Sequence, residues 1–598
     1  MLRRDLLKGA AAFPLAFTAP ALARAAAVHR RLRPADAGWP NEDQWAALGR
    51  QVGGRLTQVV SPLAEAAKAP NAPATAELFR NLRNPFFIGE SAALTQTLGW
   101  TDAWTSRPSA YAVAAESASD VAAAVTFARR HNLRLVVKGG GHSYLGGSNA
   151  PDSLLIWTKP MRAIDLHDAF VPTGCAGKVA PQPAVSVGAG AIWLEAYDAV
   201  TTKGGRYVQG GGCTTVGVAG LVQGGGFGSY SKGFGTGAAG LLEAEVVTAD
   251  GKVRIVNAAS DPDLFWALKG GGGGTFGVIT RLTLMTHDLP TLFGGVNANI
   301  TAKSDEAYRA LAAQFLGFYR SSLMNPHWGE QANFHGRRQI SINMSIQGLD
   351  QKAATAIWKP FFDWVAQRPD DYDMTKPSIS VLPARLFWNG AIMKTIPGVA
   401  HGDDRAGAPA SRFFWAGDGG QVGQVLHGYR SAWLSQSLLA ADRLPALVEA
   451  IVHAAATWGV SLHFNKGLAG APAEALARSR DTATNPAVLD AFALAITGGE
   501  EPPAYPGIAG HEPNIAKGRA DADAMRKALA PLLALPLKPA SYVSETDYFE
   551  PDWQGAFWGE HHSRLAAIKR RYDPDGLFFV HHSVGSEGWS EDGFTRRA

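Results

Sequence analysis

Hydrophobic positions along residues 101–160 follow helical spacing first and extended spacing afterwards. A helix is predicted to begin with Ser117 or Ser119 as its N-cap, because serine is a favoured N-cap residue and apolar residues follow at helical spacing. These apolar residues are Val121, Ala124, Val125 and Ala128. The short apolar runs at 133–137 and 153–157 predict buried strands. The pattern therefore predicts helix–strand units from about residue 101 onward. Before them, residues 45–66 are expected to be helical.

The first predicted strand ends in a glycine-rich loop. Its residues are Gly139, Gly140, Gly141, His142, Ser143, Tyr144, Gly146, Gly147 and Ser148. Consecutive glycines accept positive φ and leave backbone N–H groups open to a bound anion. The loop therefore predicts contact with a phosphate-bearing ligand, with the imidazole of His142 at its mouth. A tight turn beside a surface histidine is the alternative interpretation of this segment alone.

Two further glycine-rich segments follow. Residues 204–240 contain 15 glycines in 37 positions, with apolar residues interleaved throughout. Such density is foreign to helix and strand interiors, because glycine destabilises both. The third segment, 270–274, leads into a predicted strand at Val278 and Ile279. A backbone pressed repeatedly against a large planar or phosphate-bearing ligand explains all three segments.

The three segments together carry a family resemblance. GGGHS, GGGCTTVGVAGLVQGGGFG and WALKGGGGGTFGVIT, in this order, resemble the vanillyl-alcohol-oxidase type of FAD-binding domain. Within that superfamily the chain is similar to the berberine-bridge-enzyme-like flavoproteins, and residues 552–578 resemble that family's closing segment. The resemblance covers residues 101–290 and 540–590. It implies an α+β fold, with a two-part PCMH-type FAD-binding domain and a substrate domain whose antiparallel sheet is backed by helices.

The domain boundaries follow from this resemblance and from changes in composition. Glycine clusters stop after residue 290, and tryptophans become frequent until about residue 540. We expect five parts: a signal peptide at 1–25, an N-terminal extension at 26–100, the FAD-binding domain at 101–290, the substrate-binding domain at 291–540 and a C-terminal segment at 541–598 that returns to the FAD-binding domain.

Composition and charge argue against some classes of binding partner. The chain has 598 residues with 46% hydrophobic and 18% charged positions, enough for two or more domain cores. The formal net charge is only +4, and no basic run alternates with aromatic residues, which argues against a nucleic-acid partner. No segment predicts a membrane span. A small-molecule substrate is expected instead.

The first residues have the pattern of an export signal. Arg3 and Arg4 form a twin-arginine motif, and a weakly apolar run and small residues at 21–25 follow. This predicts transfer by the twin-arginine export machinery to the periplasm or the outside of the cell. An ordinary basic N-terminal helix is the alternative.

Two residues match the positions that tether FAD in the family. The resemblance implies that His142 bonds the 8α-methyl group and that Cys213 bonds C6, which would make the flavin bicovalent. A neutral imidazole nitrogen is the nucleophile that the first bond requires. For Cys213 two alternatives stay open, because the chain has only one other cysteine, Cys175: a disulfide between the two, or a free thiol.

The remaining expected cofactor contacts come from the same motifs. They are Thr215, Val216, Gly217, Gly220, Gly224, Gly225, Gly226 and Gly228, together with Val278 and Ile279. In the family, the position of Val216 lines the pocket where oxygen reacts over the flavin. A modest side chain there favours reaction with O₂, although a lone valine is also an ordinary core residue.

A catalytic base is expected near the C-terminal segment. Tyr542, Glu545 and Tyr548 lie where the family returns to the flavin edge with a Tyr-x-Asn pattern, and here Ser544 replaces the asparagine. A phenolate or carboxylate there would remove a hydroxyl proton as hydride leaves the substrate carbon. Core tyrosines on a strand are the alternative interpretation. Adjacent histidines at 581–582 suggest a metal site at first, but no complete ligand set accompanies them, and no metal is expected.

The sequence thus predicts an exported FAD-dependent oxidoreductase that takes hydride from an alcohol or carbohydrate C–OH. Dioxygen is the expected acceptor, with H₂O₂ as product. One alternative is a dehydrogenase with a quinone or protein acceptor and an aromatic or polyketide-like substrate. The other is a flavin-carrying binding protein without catalysis, which the missing asparagine favours.

Overall fold

The computed structural model describes residues 29–597. The signal peptide predicted at 1–25 lies outside these residues. Twenty-two strands and eighteen α-helices are described, and both kinds of element recur along the whole chain.

The strands are numbered in chain order. They are β1 Leu56–Gln58, β2 Thr97–Trp100, β3 Trp104–Thr105, β4 Tyr111–Ala114, β5 Arg134–Lys138, β6 Ser153–Trp157, β7 Ile164–Phe170, β8 Gln182–Gly188, β9 Arg206–Val208, β10 Leu241–Val247, β11 Val253–Val256, β12 Val278–Asp288, β13 Leu292–Ala302, β14 Trp328–His335, β15 Gln339–Gln347, β16 Tyr372–Met374, β17 Ser378–Pro383, β18 Ala400–Gly402, β19 Phe413–Trp415, β20 Gln424–Ser435, β21 Val460–His463 and β22 Ala491–Glu501.

The α-helices are numbered in the same way. They are α1 Glu42–Gln51, α2 Pro62–Lys68, α3 Pro73–Asn81, α4 Pro85–Gly89, α5 Ala118–Arg130, α6 Trp193–Tyr197, α7 Val218–Gln223, α8 Ser231–Phe234, α9 Pro262–Leu268, α10 Asp305–Phe318, α11 Gln351–Ala366, α12 Gly390–Met393, α13 Leu444–Thr457, α14 Ala473–Arg480, α15 Ala487–Asp490, α16 Ile515–Leu533, α17 Trp553–Trp558 and α18 His562–Tyr572.

The first glycine loop directly follows strand β5 of a small sheet in the order β1-β4-β6-β5. Strands β4, β6 and β5 are parallel, as expected for strands joined through helix α5. Ser117 caps α5 in a reciprocal capping box with Asp120, which confirms the predicted helix start. The apolar face of α5 is fully buried against this sheet, as its spacing predicted.

A six-stranded sheet forms the second part of the FAD-binding domain. Its main order is β11-β10-β12-β8-β7, and β9 adds to β12. The adjacent strands β10 and β11 pair in antiparallel fashion around Gly251, whose φ is +79°. A glycine is needed there, because other residues rarely adopt positive φ.

The part of the chain expected to bind the substrate contains a ten-stranded sheet, here called the substrate sheet, in the order β16-β13-β15-β14-β21-β22-β20-β2-β3, with β17 paired to β13. Every pair in it is antiparallel except β2 with β20. Helices α10, α11, α13 and α16 bury their apolar faces in one core with this sheet. The predicted fold class, an α+β protein with a helix-backed antiparallel sheet, is therefore confirmed.

Three details differ from the sequence interpretation. Residues 97–100, which the predicted boundary puts in the N-terminal extension, form strand β2 of the substrate sheet. Residues 56–58 of the same extension form β1 of the first sheet. A helix predicted over 45–66 is wrong, because the chain breaks at Gly53 and Gly54, both at positive φ, and α1 and α2 flank the strand between them.

Candidate active site

A cavity of about 300 Å³ lies where the three glycine segments meet. Its lining comes from the first glycine loop, from helix α7 and its flanks, from residues 272–277, and from C-terminal residues 542–545 and 578–583. Apart from Lys466, every lining residue belongs to the FAD-binding domain or the C-terminal segment. The cavity has the size of a ligand site, and eleven of its lining residues are glycines.

Two of the glycine segments touch each other directly. A Cβ added to Gly140 would lie 2.6 Å from the backbone nitrogen of Gly217, and one added to Gly217 would lie 2.8 Å from the nitrogen of Gly140. Real Cβ atoms do not approach backbone so closely, so glycine is required at both positions. This contact fixes the two loops relative to each other on one side of the cavity.

Other glycines leave room that no protein atom fills. A Cβ on Gly220 would meet nothing within 4 Å, and one on Gly273 would have its nearest neighbour at 3.8 Å. Both glycines line the cavity, and neither has positive φ. Neither backbone strain nor packing therefore requires glycine there, whereas a large ligand pressed against the backbone does. The residues present thus fit the FAD that the sequence implies.

His142 lines this cavity at the end of the first glycine loop. Its Nε2 atom lies 3.2 Å from Oγ1 of Thr215, which leaves Nδ1 as the nitrogen available for reaction. Burial within the protein lowers the pKa of His142 to about 4. The imidazole is therefore neutral at neutral pH, the form in which it is a nucleophile.

Both cysteines are free in the described part of the chain. The disulfide alternative for Cys213 and Cys175 is therefore not what the structure contains. Cys213 is not itself among the cavity-lining residues. Its thiol hydrogen-bonds with the carboxylate of Asp418, and burial raises its pKa, to which the charge of Asp418 adds.

The three C-terminal residues expected to supply the catalytic base differ in whether they line the cavity. Tyr542 and Glu545 both line the cavity. Burial raises the pKa of Tyr542, which holds it in the phenol form. Tyr548 is not among the lining residues, and its hydroxyl donates to Oε1 of Glu591 at 3.0 Å. Ser544, at the position of the expected asparagine, also lines the cavity.

An ion pair lies at the edge of the cavity. The ammonium of Lys466 contacts the carboxylate of Glu545, and both side chains are mostly buried. The Lys466 backbone is held from two sides: Nε1 of Trp433 donates to its carbonyl at 2.7 Å, and Nζ of Lys232 donates to the carbonyls of residues 467 and 469. Ser431 on β20 donates to the carbonyl of Glu545 at 2.6 Å. The pair is therefore positioned by the substrate sheet.

Two more carboxylates complete what we call the charged cluster: Glu330, Asp418, Lys466 and Glu545. Glu330, on β14, accepts hydrogen bonds from Ser229 and Asn465, and burial raises its pKa. Its φ of +61° is unusual for glutamate, and such strain is concentrated at functional sites. Burial also raises the pKa of Asp418, to about 6. Sequence reasoning missed both residues.

Two tyrosines face the charged cluster. The rings of Tyr144 and Tyr429 lie 5.3 Å apart, centroid to centroid. Burial raises the pKa of both, and the negative charge of Glu545 raises each further. Both are therefore hydroxyl donors at neutral pH. Tyr144 was expected to contact the cofactor, and it does line the cavity; Tyr429 carries no sequence signal.

The structure places the other expected cofactor residues as follows. Those that line the cavity are Gly139, Gly140, Gly141, Ser143, Gly147, Ser148, Val216, Gly217, Gly220, Gly224 and Ile279. Those outside the lining are Gly146, Thr215, Gly225, Gly226, Gly228 and Val278. Gly272, Gly273 and Gly274 line it although only their neighbours had been chosen; the glycine run itself was the signal that could have identified them.

The adjacent histidines of the C-terminal segment also belong to this site. His581 and His582 line the cavity with their rings 3.8 Å apart, and Nε2 of His581 lies 2.8 Å from the Tyr548 carbonyl. Within residues 29–597 no three His, Cys, Asp or Glu side chains come together as metal ligands would. Over the same range, no helix has the length and apolarity to cross a bilayer.

Comparison with protein families gives two matches. Residues 109–257 match the model of an FAD binding domain, and residues 541–585 match the berberine and berberine-like model. The two segments hold the first two glycine loops and the C-terminal part of the cavity lining.

Curated relatives match nearly the whole chain. An FAD-linked oxidoreductase of Trichophyton verrucosum is 30% identical, with 94% of this chain and 91% of the relative covered. An FAD-linked oxidoreductase of Malbranchea aurantiaca is also 30% identical, with 95% and 94% covered.

Solved structures share the fold. The VAO-type flavoprotein MtVAO615 from Myceliophthora thermophila superposes with a TM-score of 0.76 at 25% identity, covering 95% of this chain and all of that one. Glucooligosaccharide oxidase from Acremonium strictum, with a 6-S-cysteinyl, 8α-N1-histidyl FAD, gives a TM-score of 0.61 at 20% identity, with 80% and 92% covered.

Proposed function

The chain belongs to the berberine-bridge-enzyme-like FAD-linked oxidoreductases of the vanillyl-alcohol-oxidase type, and on this premise we propose that it is an oxidase. Its substrate is an alcohol or carbohydrate C–OH, its flavin is bound through two covalent bonds, and dioxygen is the electron acceptor. FAD, when bound, supplies the acceptor for a hydride from the substrate carbon.

The observation that carries this proposal is the Lys466–Glu545 pair at the edge of the cavity that also contains His142. A carboxylate that reaches the cavity and contacts an ammonium group can accept the hydroxyl proton of an alcohol. Oxidation of an alcohol needs such an acceptor, because the hydroxyl proton must leave as the carbon loses hydride. A binding protein without catalysis would not need it.

The residues around this pair have distinct roles. Glu545 accepts the substrate proton at Oε1 or Oε2, and Lys466 contacts that carboxylate and orients it. Tyr144 and Tyr429, protonated at neutral pH, donate hydrogen bonds that orient the substrate oxygens.

Among the three predicted bases, Glu545 has the best support. Tyr542 shares the cavity, but its raised pKa makes it a poor proton acceptor at neutral pH. The Tyr548 hydroxyl is already engaged with Glu591. Glu545 alone combines access to the cavity with a cationic partner.

Two tethers to the flavin are part of the proposal. His142 supports the 8α bond, because its imidazole is neutral and lines the cavity. Cys213 supports the C6 bond, because its thiol is free and it stands at the position that bonds C6 in the resembling family. Glucooligosaccharide oxidase carries FAD with both linkages on the same fold.

The first experiment is mass spectrometry of the denatured protein. We expect the FAD mass on the wild type, on His142→Ala and on Cys213→Ala, and its loss in the double variant. Cys175→Ser is the matched control and should retain both bonds. A wild type without covalent flavin would contradict the proposed tethers.

The second experiment identifies the acceptor and the substrate class. Oxygen uptake and H₂O₂ are measured with oligosaccharides, simple alcohols and aromatic alcohols. Uptake with an alcohol or sugar supports the oxidase. Flavin reduction by the same substrate without oxygen uptake, but with turnover on a quinone, would show a dehydrogenase instead.

Export through the twin-arginine pathway is the remaining part of the proposal. It is supported by Arg3, Arg4 and the small residues at 21–25. Replacing both arginines with lysine should retain the protein in the cytoplasm with its flavin attached. Export that is unchanged by this double replacement would refute the route.

A further inference from the structure

The thiol of Cys213 is in an unreactive state. Burial raises its pKa, and the negative charge and hydrogen bond of Asp418 raise it further. A thiol with a raised pKa stays protonated at neutral pH, and only the thiolate is a good nucleophile. If Cys213 bonds the flavin, as proposed above, a neighbouring group must take its proton.

The residue in contact with the thiol is Asp418. It lies on the 3₁₀ helix Ala416–Gln421, directly after β19. Nε1 of Trp415, which begins this turn, donates to the carbonyl of Gly212 at 2.9 Å. The segment that carries Asp418 is therefore joined to the residue before Cys213, and the carboxylate accepts a hydrogen bond from the thiol.

The other carboxylates of the charged cluster have different partners. Glu545 is paired with Lys466, and Glu330 accepts hydrogen bonds from Ser229 and Asn465. Asp418 is the member of the cluster whose carboxylate contacts the thiol.

We propose that Asp418 is the base that deprotonates Cys213 when the second bond to the flavin forms. The inference rests on the proposed function, since it requires that Cys213 bonds C6. It assigns Asp418 to the maturation of the enzyme, a step separate from substrate oxidation by Glu545.

The step balances as follows. The thiol proton moves to Asp418, and the sulfur forms a bond to C6 of the oxidised ring system. The C6 hydrogen leaves as a proton, and the electron pair of the broken C6–H bond stays in the ring system, which is thereby reduced by two electrons. Dioxygen then takes these two electrons with two protons and becomes H₂O₂, which restores the oxidised cofactor.

The charge state of Asp418 is suited to this role. Burial raises its pKa to about 6, and the hydrogen bond from Cys213 opposes that shift. The carboxylate is therefore largely ionised at pH 7 to 8, yet more basic than an exposed aspartate. A base with a pKa near the working pH is the effective kind.

The test uses the His142→Ala protein as parent, because its only expected bond to flavin is through Cys213. Asp418→Asn is added to it, the protein is incubated with FAD in air, and covalent attachment is followed by mass spectrometry after denaturation. We expect attachment to slow at least about ten-fold. Asp418→Glu should restore most of the rate.

Two controls separate chemistry from folding. Flavin that is bound in the native variant and released on denaturation shows that the cavity is intact. Asp404→Asn, the same change at an exposed aspartate of the preceding loop, should attach flavin at the parent's rate.

Each outcome has one meaning. Slow attachment in Asp418→Asn with flavin still bound non-covalently supports the proposal. Attachment at the parent's rate overturns it. If the His142→Ala parent carries no covalent flavin, the thioether and this proposal are overturned together. The bond through His142 would still stand if the wild type carries covalent flavin.

Discussion

The two sides of the cofactor cavity are built by different means. On one side, glycine loops bring backbone against backbone, as at Gly140 and Gly217, or leave room for a ligand, as at Gly220. On the other side, the charged cluster collects side chains from β14, the turn after β19, the turn after β21 and the C-terminal segment. On the glycine side, the shape of the cavity depends on the absence of side chains. On the side of the charged cluster, the chemistry depends on which side chains are present.

This difference predicts different responses to substitution. Steric changes should be most damaging in the glycine loops, because backbone cannot move aside cheaply. Isosteric changes should be most damaging in the charged cluster, because only the protonation and hydrogen bonding change.

The largest effect is expected from Gly140→Ala. Its Cβ would lie 2.6 Å from the Gly217 nitrogen, so we expect a loss of about 3 kcal/mol of stability and most of the bound flavin. Thermal unfolding and flavin absorbance measure both.

Gly220→Ala is the control that sharpens this comparison. No protein atom lies within 4 Å of its added Cβ, and Ala favours helix α7 by up to about 1 kcal/mol. Flavin-free protein should therefore be as stable as the wild type, while flavin affinity falls. Normal flavin affinity would show that the space above Gly220 is not used by the cofactor.

The next effect is expected from Glu545→Gln. The amide keeps the shape but cannot accept the substrate proton, so kcat should fall about 10²- to 10⁴-fold. The covalent flavin content should stay at the wild-type level. Both are measured on the same preparation by stopped-flow flavin reduction and mass spectrometry.

Tyr548→Phe is the matched control for this loss. Its hydroxyl contacts Glu591 at 3.0 Å and lies outside the cavity lining, so kcat should be unchanged. A large loss of kcat in Tyr548→Phe with normal activity in Glu545→Gln would reverse our assignment of the base.

The smallest effect concerns pH and stability. Asp418 has a pKa of about 6 when folded and 3.8 without the fold, so the folded state holds more protons between these values. Its ionisation therefore lowers the free energy of unfolding as pH rises from about 4 to 6, and the whole of this loss is present above pH 6. In a Cys213→Ala background, Asp418→Asn should raise Tm most above pH 6 and not at pH 4. An equal Tm difference at every pH would contradict this.

Sequence reasoning identified the glycine side of the cavity because its signal is local. The glycine run 139–141 and the helix start near Ser117 depend on residues within a few positions of each other. Local sequence patterns gave almost no indication of the charged cluster. Lys466 and Glu545 are 79 residues apart, and only the register of β20 and the turn after β21 brings them together.

The same reason explains what sequence reasoning misplaced. Tyr548 shares its motif with Glu545, yet it is not among the residues that line the cavity, and its ring stacks on His581. His581 and His582 were considered only as metal ligands, because their place in the cavity depends on how the C-terminal segment returns.

Strand β2 has a consequence for how the chain is made. Its partner β20 is far along the chain, as the 327-residue separation of Thr97 and Gln424 shows. At about 5–20 residues per second, a ribosome needs roughly 15–65 s to supply that partner. Until then β2 can pair only with the two-residue strand β3, and its other edge stays open. The substrate sheet can therefore be completed only after residues 424–435 have been synthesised. For the same reason, residues 291–540 could not be exchanged between relatives without also exchanging β2.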